Sequence, residues 1–284
     1  MPYQNHKLAV AVVHGVGNEK PDFAERFRRK LLAAFKKETR GEIVHPEDVL
    51  IIKPVYWAPA VQGLENELMR RIMGGDSSLC YRDLRNFMVS FAGDAIAYQP
   101  VRAKQDAYIA IHAIFAKTLQ NLAKEAGENA PLCIVGHSLG SVISSNYIYD
   151  LQMDSVKNLI HPSVKKEMRD TPFEKGKTLA LFYTAGSPIA LWSLRYEDFG
   201  TPIDMPGNGK WFNVYDNNDV ISYPLKNLNE KYRAVVTEDI PMSVGGFLTS
   251  WNPLCHVSYF DNGSFVRHVA RSLAEVWKHE NRGL

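Results

Sequence analysis

The sequence predicts an α/β fold, with a mainly parallel central sheet and helices on both of its faces. Short, continuous apolar runs recur along the chain, as in strands that are buried on both sides. Segments with helical periodicity separate these runs, which is the pattern of strands connected by helices. The chain has 284 residues, of which 45% are apolar, so one domain over residues 1–284 can bury a large core.

The first strand–helix–strand unit lies near the N-terminus. The run Leu8 to Val13 is the first predicted strand, and it ends at the turn His14-Gly15-Val16-Gly17-Asn18. A helix begins near Asp22 and extends to about Glu38, with aromatic and apolar residues at steps of four on one face. Val49 to Ile52 is the second predicted strand, and we expect Pro54 to Trp57 to close it.

Residues 58–104 follow the alternating pattern less well. Leu64 to Ile72 and Tyr81 to Tyr98 have helical patterns, with a glycine- and serine-containing loop between them. The second segment is apolar and contains Phe87 and Phe91. Two interpretations are open, namely a helical cap or lid inserted above the site, or two ordinary packing helices.

The second half of the chain returns to the alternating pattern. Strands are predicted over Pro131 to Val135, Thr178 to Thr184, Trp211 to Tyr215 and Tyr232 to Val236. Helices are predicted over Gln105 to Ala126, Ser141 to Gln152, Ser163 to Met168 and Ser264 to His279. The Pro- and Gly-rich residues 196–210 predict a surface loop.

Composition excludes several classes of function. The net charge is +2 and basic residues are interspersed with acidic ones, so we expect no nucleic-acid partner. Cys80, Cys133 and Cys255 do not have the spacing of a metal site. No apolar run approaches 18 residues, and Met1 to Lys7 lack the pattern of a signal peptide. We expect a cytoplasmic protein with no transmembrane segment. Peripheral contact with a membrane is compatible with the sequence. The sequence does not indicate an oligomeric state.

The stretch Gly136-His137-Ser138-Leu139-Gly140 is the most informative part of the chain. The pattern G-x-S-x-G arises by chance in roughly one chain in ten of this length, so its setting decides what it means. Here an apolar strand precedes it and a helical segment follows, as a nucleophile elbow requires. Such a turn exposes the serine above the sheet, and the two glycines let strand and helix approach closely. An ordinary turn without chemistry is the alternative.

Two backbone segments are candidates for an oxyanion hole, which needs convergent N–H donors. One donor is the N–H of Leu139, directly after the serine and at the start of a helix. The other is the N–H of Val16, in the loop after the first strand, where Gly15 lets the backbone approach a substrate. The alternatives are a plain glycine-rich turn or a phosphate cradle, but the sequence contains no G-x-G-x-x-G or G-K-[ST] pattern.

A nucleophilic serine also needs a base and an acid that orients the base. In elbow-containing folds the chain order is serine, acid, histidine. His256 lies before the last helix and is the candidate base, with a satisfied loop histidine as the alternative. Asp219 is the favoured acid, while Asp216 is the alternative, since it could instead cap the turn. Weaker candidates for the acid are Asp239 and Asp261.

Together these motifs resemble the α/β-hydrolase superfamily, and within it the lipase-like serine esterases. The resemblance extends over residues 13–256 and includes the motifs around Gly15 and Ser138, the turn Gly186-Ser187-Pro188, Asp219 with Pro224, and His256. The Gly-Ser-Pro turn and the aromatic residues after His256 are similar to a subgroup of lipases and inositol-deacylase-type esterases.

The resemblance implies hydrolysis of a small-molecule or lipid ester through a Ser-His-Asp triad and an acyl-enzyme, with no metal or organic cofactor. We expect neither the signal peptide nor the paired cysteines of secreted lipases, which argues against an extracellular triglyceride substrate. Alternative functions are an acyltransferase, a thioesterase or a peptidase with the same triad, or a non-catalytic scaffold that retains the fold.

Overall fold

The computed structural model describes residues 6–16, 19–61, 63, 67, 70–71, 93, 96–98, 106–245 and 253–282. Within these residues, six strands form one sheet in the order β2-β1-β3-β4-β5-β6, and every neighbouring pair is parallel. The strands are β1 (Leu8–Val13), β2 (Leu50–Val55), β3 (Leu132–His137), β4 (Leu179–Ala185), β5 (Lys210–Tyr215) and β6 (Val236–Pro241).

The connections between the strands are helical. The α-helices are α1 (Glu25–Glu38), α2 (Pro46–Val49), α3 (Asp106–Ala126), α4 (Leu139–Lys157), α5 (Pro162–Lys165), α6 (Ile189–Trp192), α7 (Glu230–Val235) and α8 (Gly263–Arg282). Short 3₁₀ helices cover Ala58–Ala60, Ser193–Arg195, Glu197–Phe199 and Pro253–Asp261. Along the described residues, each helix is too short or too polar to cross a bilayer.

The two faces of the sheet have separate cores because side chains alternate along each strand. In β1, Ala9, Ala11 and Val13 face the core that contains α3 and α4. Leu8 and Val10 face the opposite core, which contains α1 and α8. The predicted fold class is therefore confirmed as a parallel sheet with helices on both faces, consistent with an α/β-hydrolase-like fold.

Two predicted strand boundaries are wrong. The second strand does not close at Pro54 but continues through it to Val55, with Pro54 opposite Val12. β2 is an edge of the described sheet, and edge strands tolerate proline because they pair with a neighbour on one side only. The strand predicted over Tyr232 to Val236 is mostly the helix α7, and β6 begins only at Val236. The Asn229 side chain accepts a hydrogen bond from Tyr232 N and so caps this helical turn.

The helical cap predicted for residues 58–104 lies largely outside the described residues, as do Phe87 and Phe91. At its start, Ala58–Ala60 form a 3₁₀ turn, and Trp57 and Val61 on either side are buried in the core. The cap and the single-domain organisation stay predictions.

Candidate active site

The candidate site lies at the topological switch point of the sheet, where the order in which strands are added reverses. From β1 the chain moves outward to β2, and then returns to place β3 on the other side of β1. Ligands of parallel α/β sheets bind in the crevice that such a switch point opens at the carboxyl ends of the strands. Gly15 follows β1 here and Ser138 follows β3, and a Cβ on Gly15 would lie only 2.7 Å from the Cβ of Ser138. The loop and the serine are therefore in direct contact.

Ser138 occupies a strained turn between β3 and α4. Its φ of 51° and ψ of −128° are unfavourable for a residue with a side chain, and such strain occurs where the surrounding structure holds a functional residue in place. The flanking glycines make the turn sterically feasible. A Cβ on Gly136 would lie 2.7 Å from Ser141 Cα, and one on Gly140 would lie 2.3 Å from His14 O. The strand, the strained serine and the helix follow one another in the order that the predicted nucleophile elbow requires.

A continuous hydrogen-bonded relay joins the serine to a histidine and a carboxylate. His256 Nδ1 lies 2.8 Å from Asp219 Oδ2, and His256 Nε2 lies 2.8 Å from Ser138 Oγ. An ionised carboxylate only accepts hydrogen bonds, so Nδ1 carries the imidazole proton and Nε2 is left to accept the proton of the serine hydroxyl. All three side chains are buried, so among the described residues Ser138 is not exposed above the sheet as expected from the sequence. The structure thus brings together the three residues Ser138, His256 and Asp219, and their roles as nucleophile, base and acid stay predictions.

Asp219 is held in this position by its backbone surroundings as well. Its Oδ1 accepts a hydrogen bond from Ile221 N at 3.1 Å. Burial alone would raise the pKa of this carboxyl group, but hydrogen bonds from His256, Ile221 and Tyr259 together with the charge of His256 lower that pKa. The carboxylate is therefore ionised and available to orient the imidazole.

The other aspartates have contacts elsewhere. Asp216 accepts hydrogen bonds from Val244 N at 2.7 Å and Asn218 N at 2.9 Å, so it organises the loop and joins it to the segment after β6. Asp239 accepts hydrogen bonds from Leu225 N and Lys226 N. Asp261 forms ion pairs with Arg26 and Lys30 of α1.

The two predicted oxyanion donors directly follow Ser138 and Gly15, and Gly15 contacts the serine. Leu139 is the first residue of α4, where backbone N–H groups lack partners within the helix. Ser138 N is engaged differently, because it donates to Ala185 O of β4 at 2.9 Å. Val16 is half-buried and directly follows Gly15. The roles of Val16, Gly15 and Leu139 in binding an oxyanion stay predictions.

His14 fixes the loop after β1, a role that sequence reasoning missed. Its Nδ1–H donates to Gly15 O at 2.8 Å, and its Nε2 accepts from Trp57 N at 3.1 Å and Ala58 N at 3.3 Å. Its ring stacks on the Trp57 ring at 4.6 Å. Burial lowers the pKa of His14 to about 4, so the ring is neutral and can keep both roles. The loop is consequently anchored to the end of β2.

His137 and Tyr259 were also missed as parts of the site. His137 Nε2–H donates to the backbone oxygen of His256 at 2.7 Å, which ties the base to the elbow strand. Burial, aided by repulsion from His256, lowers the pKa of His137 to about 3. Tyr259 donates its hydroxyl proton to Asp219 Oδ2 at 2.9 Å.

His256 was expected in a loop but lies in the 3₁₀ helix Pro253–Asp261. Three residues make one turn of such a helix, so His256 and Tyr259 lie on one face. Their spacing in the sequence is the signal that could have identified Tyr259, had the 3₁₀ helix been recognised.

Across the part of the chain that the structure describes, no three His, Cys, Asp or Glu side chains converge as a metal site requires. No sequence model of a protein family matches the chain, and no curated protein matches it. Among solved structures, the chain is similar to the esterase domain of a Rhodothermus marinus protein, with 10% identity and a TM-score of 0.34. That alignment covers 98% of this chain and 88% of the other.

Proposed function

We propose that this protein is a serine hydrolase that cleaves carboxylic esters through an acyl-enzyme. The relay from Ser138 through His256 to Asp219 carries the proposal, because it gives a serine hydroxyl the base that makes it nucleophilic. The contact of this serine with the Gly15 loop and the start of α4 adds a place for the developing oxyanion.

In the first half-reaction Ser138 Oγ attacks the acyl carbon while His256 Nε2 takes the hydroxyl proton. Asp219 keeps the imidazole in the required tautomer and stabilises the imidazolium. The N–H groups of Val16 and Leu139 donate to the carbonyl oxygen as it becomes negative. His256 then gives its proton to the leaving alcohol, the bond from carbon to that alcohol breaks, and the acyl group stays on Ser138.

In the second half-reaction a water molecule takes the place of the alcohol. His256 removes a proton from the water, whose oxygen attacks the acyl carbon, and the proton then returns to Ser138 Oγ as the carboxylic acid leaves. This sequence uses each group twice and restores the free enzyme.

The first test is labelling with a fluorophosphonate, which phosphonylates activated serines. We expect wild-type protein to be labelled at Ser138 and Ser138→Ala not to be labelled, with loss of p-nitrophenyl acetate hydrolysis by about 10⁴- to 10⁶-fold. Ser155→Ala is the matched control, since it removes an exposed serine from the last turns of α4. Mass spectrometry locates the adduct, and a urea unfolding curve verifies that each variant folds.

The outcomes separate the rival functions. Labelling at Ser138 with faster turnover of thioesters or amides than of esters would replace the esterase proposal with a thioesterase or peptidase. Transfer of the acyl group to an added alcohol in preference to water would indicate an acyltransferase. Folded wild-type protein that neither reacts with small fluorophosphonates nor hydrolyses p-nitrophenyl acetate would contradict the proposal and favour a non-catalytic scaffold.

A further inference from the structure

The hydroxyl of Tyr259 shares one carboxylate oxygen with the base. Asp219 Oδ2 accepts from Tyr259 Oη at 2.9 Å and from His256 Nδ1 at 2.8 Å. Tyr259 is fully buried, and its oxygen also accepts from Asp216 N at 2.9 Å and lies 3.2 Å from Ser222 Oγ. A single phenol group thus joins the acid of the relay to two points of the loop that carries it.

The direction of each hydrogen bond follows from the number of protons available. A phenol has one proton, and an ionised carboxylate can only accept, so the proton of Tyr259 is directed at Asp219. The oxygen of Tyr259 then accepts from Asp216 N, and Ser222 must donate to it. Burial and the charge of Asp219 raise the pKa of Tyr259, so the phenol keeps this proton.

The absence of a side chain at Gly186 leaves space for the ring of Tyr259. Gly186, in the turn after β4, has a φ of +58°, and a Cβ there would lie 2.7 Å from Tyr259 Cε2 and 3.3 Å from Asp219 Oδ2. A side chain at position 186 would therefore displace the ring from the carboxylate. The turn after β4, the loop after β5 and the 3₁₀ helix meet at this one hydrogen bond.

We propose that Tyr259 is a positioning residue of the site, which fixes Asp219 Oδ2 toward His256 Nδ1 and withdraws negative charge from the carboxylate. The inference rests on the proposed function. Without the hydroxyl, the carboxylate would hold its full charge toward the imidazole and would be less constrained. A stronger charge stabilises the imidazolium, and a less constrained carboxylate orients the ring poorly.

A change in the pH profile of Tyr259→Phe can be attributed to the lost hydroxyl, because the substitution leaves the other titratable residues around the relay in place. Among the described residues these groups are His14 after β1, His137 at the end of β3, Asp216 in the acid loop and Cys255 on the 3₁₀ helix. A shift in the profile of Tyr259→Phe therefore reports the lost hydroxyl.

The experiment measures the second-order rate constant of fluorophosphonate labelling at Ser138 from about pH 5.5 to 9. For Tyr259→Phe we expect a plateau about tenfold lower and an acidic half-point about half a pH unit higher than in the wild type. Tyr183→Phe is the matched control, because it removes a buried hydroxyl that hydrogen-bonds His268 and Ser272 instead. We expect its acidic half-point to equal that of the wild type.

Two results would overturn the inference and leave the proposed function intact, provided that the wild type is labelled. One is a half-point in Tyr259→Phe equal to that of the wild type. The other is a half-point shift in Tyr183→Phe as large as that in Tyr259→Phe. Absence of labelling in the wild type would overturn both the inference and the proposed function. If Tyr259→Phe does not fold, Ser222→Ala replaces it, since loss of the Ser222 donor weakens the phenol as a donor to Asp219. Ser222→Ala should raise the acidic half-point by less than the half unit expected for Tyr259→Phe. An unchanged half-point in Ser222→Ala would overturn the inference.

Discussion

Asp216 and Asp219 lie in the same loop, yet their carboxylates have different partners. Asp219 accepts from His256, whereas Asp216 accepts from the backbone N–H groups of Val244 and Asn218. Both side chains are buried. The difference predicts that one substitution affects reaction at Ser138 and the other affects folding.

Asp219→Asn should lower the rate of reaction at Ser138, per folded molecule, by about 10⁴-fold, because an amide can hold the wrong imidazole tautomer. Asp216→Asn should cost about 1 to 3 kcal/mol of unfolding free energy, because its NH₂ group cannot accept from Val244 N. Its rate per folded molecule should stay near that of the wild type. Fluorophosphonate kinetics and urea unfolding measure the two effects, and equal loss of rate in both variants would contradict this assignment.

Sequence reasoning located residues whose chemistry is carried by a motif and missed those whose role depends on packing. Ser138 and His256 were found because the elbow pattern and the chain order constrain them. His14 and His137 were not, since a buried neutral histidine has no distinguishing pattern along the chain, and Tyr259 was not, since its spacing from His256 is informative only once the 3₁₀ helix is recognised. Their roles depend on hydrogen bonds to Trp57, His256 and Asp219, each more than 35 residues away in sequence.

At the scale of elements, the site depends on the close approach of α4 to the loop after β1. A Cβ on Gly140 would lie 2.3 Å from His14 O and 2.6 Å from Val13 O, and both are backbone atoms that cannot rotate away. The first turn of α4 can therefore approach β1 only with glycine at position 140. This contact sets the distance between the Gly15 loop and Ser138.

Gly140→Ala should displace α4 from this loop, so we expect a loss of stability of about 1 to 3 kcal/mol. We also expect the labelling rate at Ser138 to fall by about 10²-fold, because a misplacement near 1 Å disrupts reaction geometry. Ser145→Ala, one turn along the same helix, is the control and should retain both properties. A labelled, fully stable Gly140→Ala protein would show that the contact does not set the geometry.

The elements that sequence reasoning assigned wrongly are those whose structure depends on their place in the sheet. Pro54 indicates the end of a strand unless the strand lies at an edge, and the strand order is not readable from the sequence. The run Tyr232 to Val236 has the composition of a strand, but the Asn229 cap makes most of it helical. In contrast, β1, β4 and β5 were predicted within two residues at each end because both of their faces are buried.

At the scale of the whole molecule, His14, His112 and His137 share one property although they lie in different segments of the fold. Burial lowers the pKa of His14 to about 4, and lowers the pKa values of His112 and His137 to about 3, from an ordinary value of 6.5. In the unfolded chain these rings bind protons below about pH 6.5, but in the folded chain they do not. The contribution of these histidines to the free energy of unfolding is therefore fully present above pH 6.5 and is lost as the pH falls from 6.5 through their pKa values in the folded protein.

Asp150 acts in the opposite direction. It lies on α4 and accepts a hydrogen bond from Tyr108 at 2.6 Å. Burial, aided by repulsion from Asp154, raises the pKa of Asp150 from 3.8 to about 6, although the bond from Tyr108 opposes this. A raised pKa contributes stability that is present below pH 3.8 and is lost as the pH rises through about 6. Asp150 therefore offsets part of the loss caused by the histidines.

We expect the free energy of unfolding to fall by about 2 to 4 kcal/mol per pH unit near pH 5, and to fall more steeply in Asp150→Asn. The variant has the steeper slope because asparagine binds no proton, so the offset disappears, and near neutral pH it should be more stable than the wild type. Urea unfolding between about pH 5 and 7.5 measures both quantities, with Asp204→Asn as an exposed control that should follow the wild-type slope. A slope in Asp150→Asn no steeper than that of the wild type would show that Asp150 is ionised in the folded protein throughout this range, and that the histidines act without an offset.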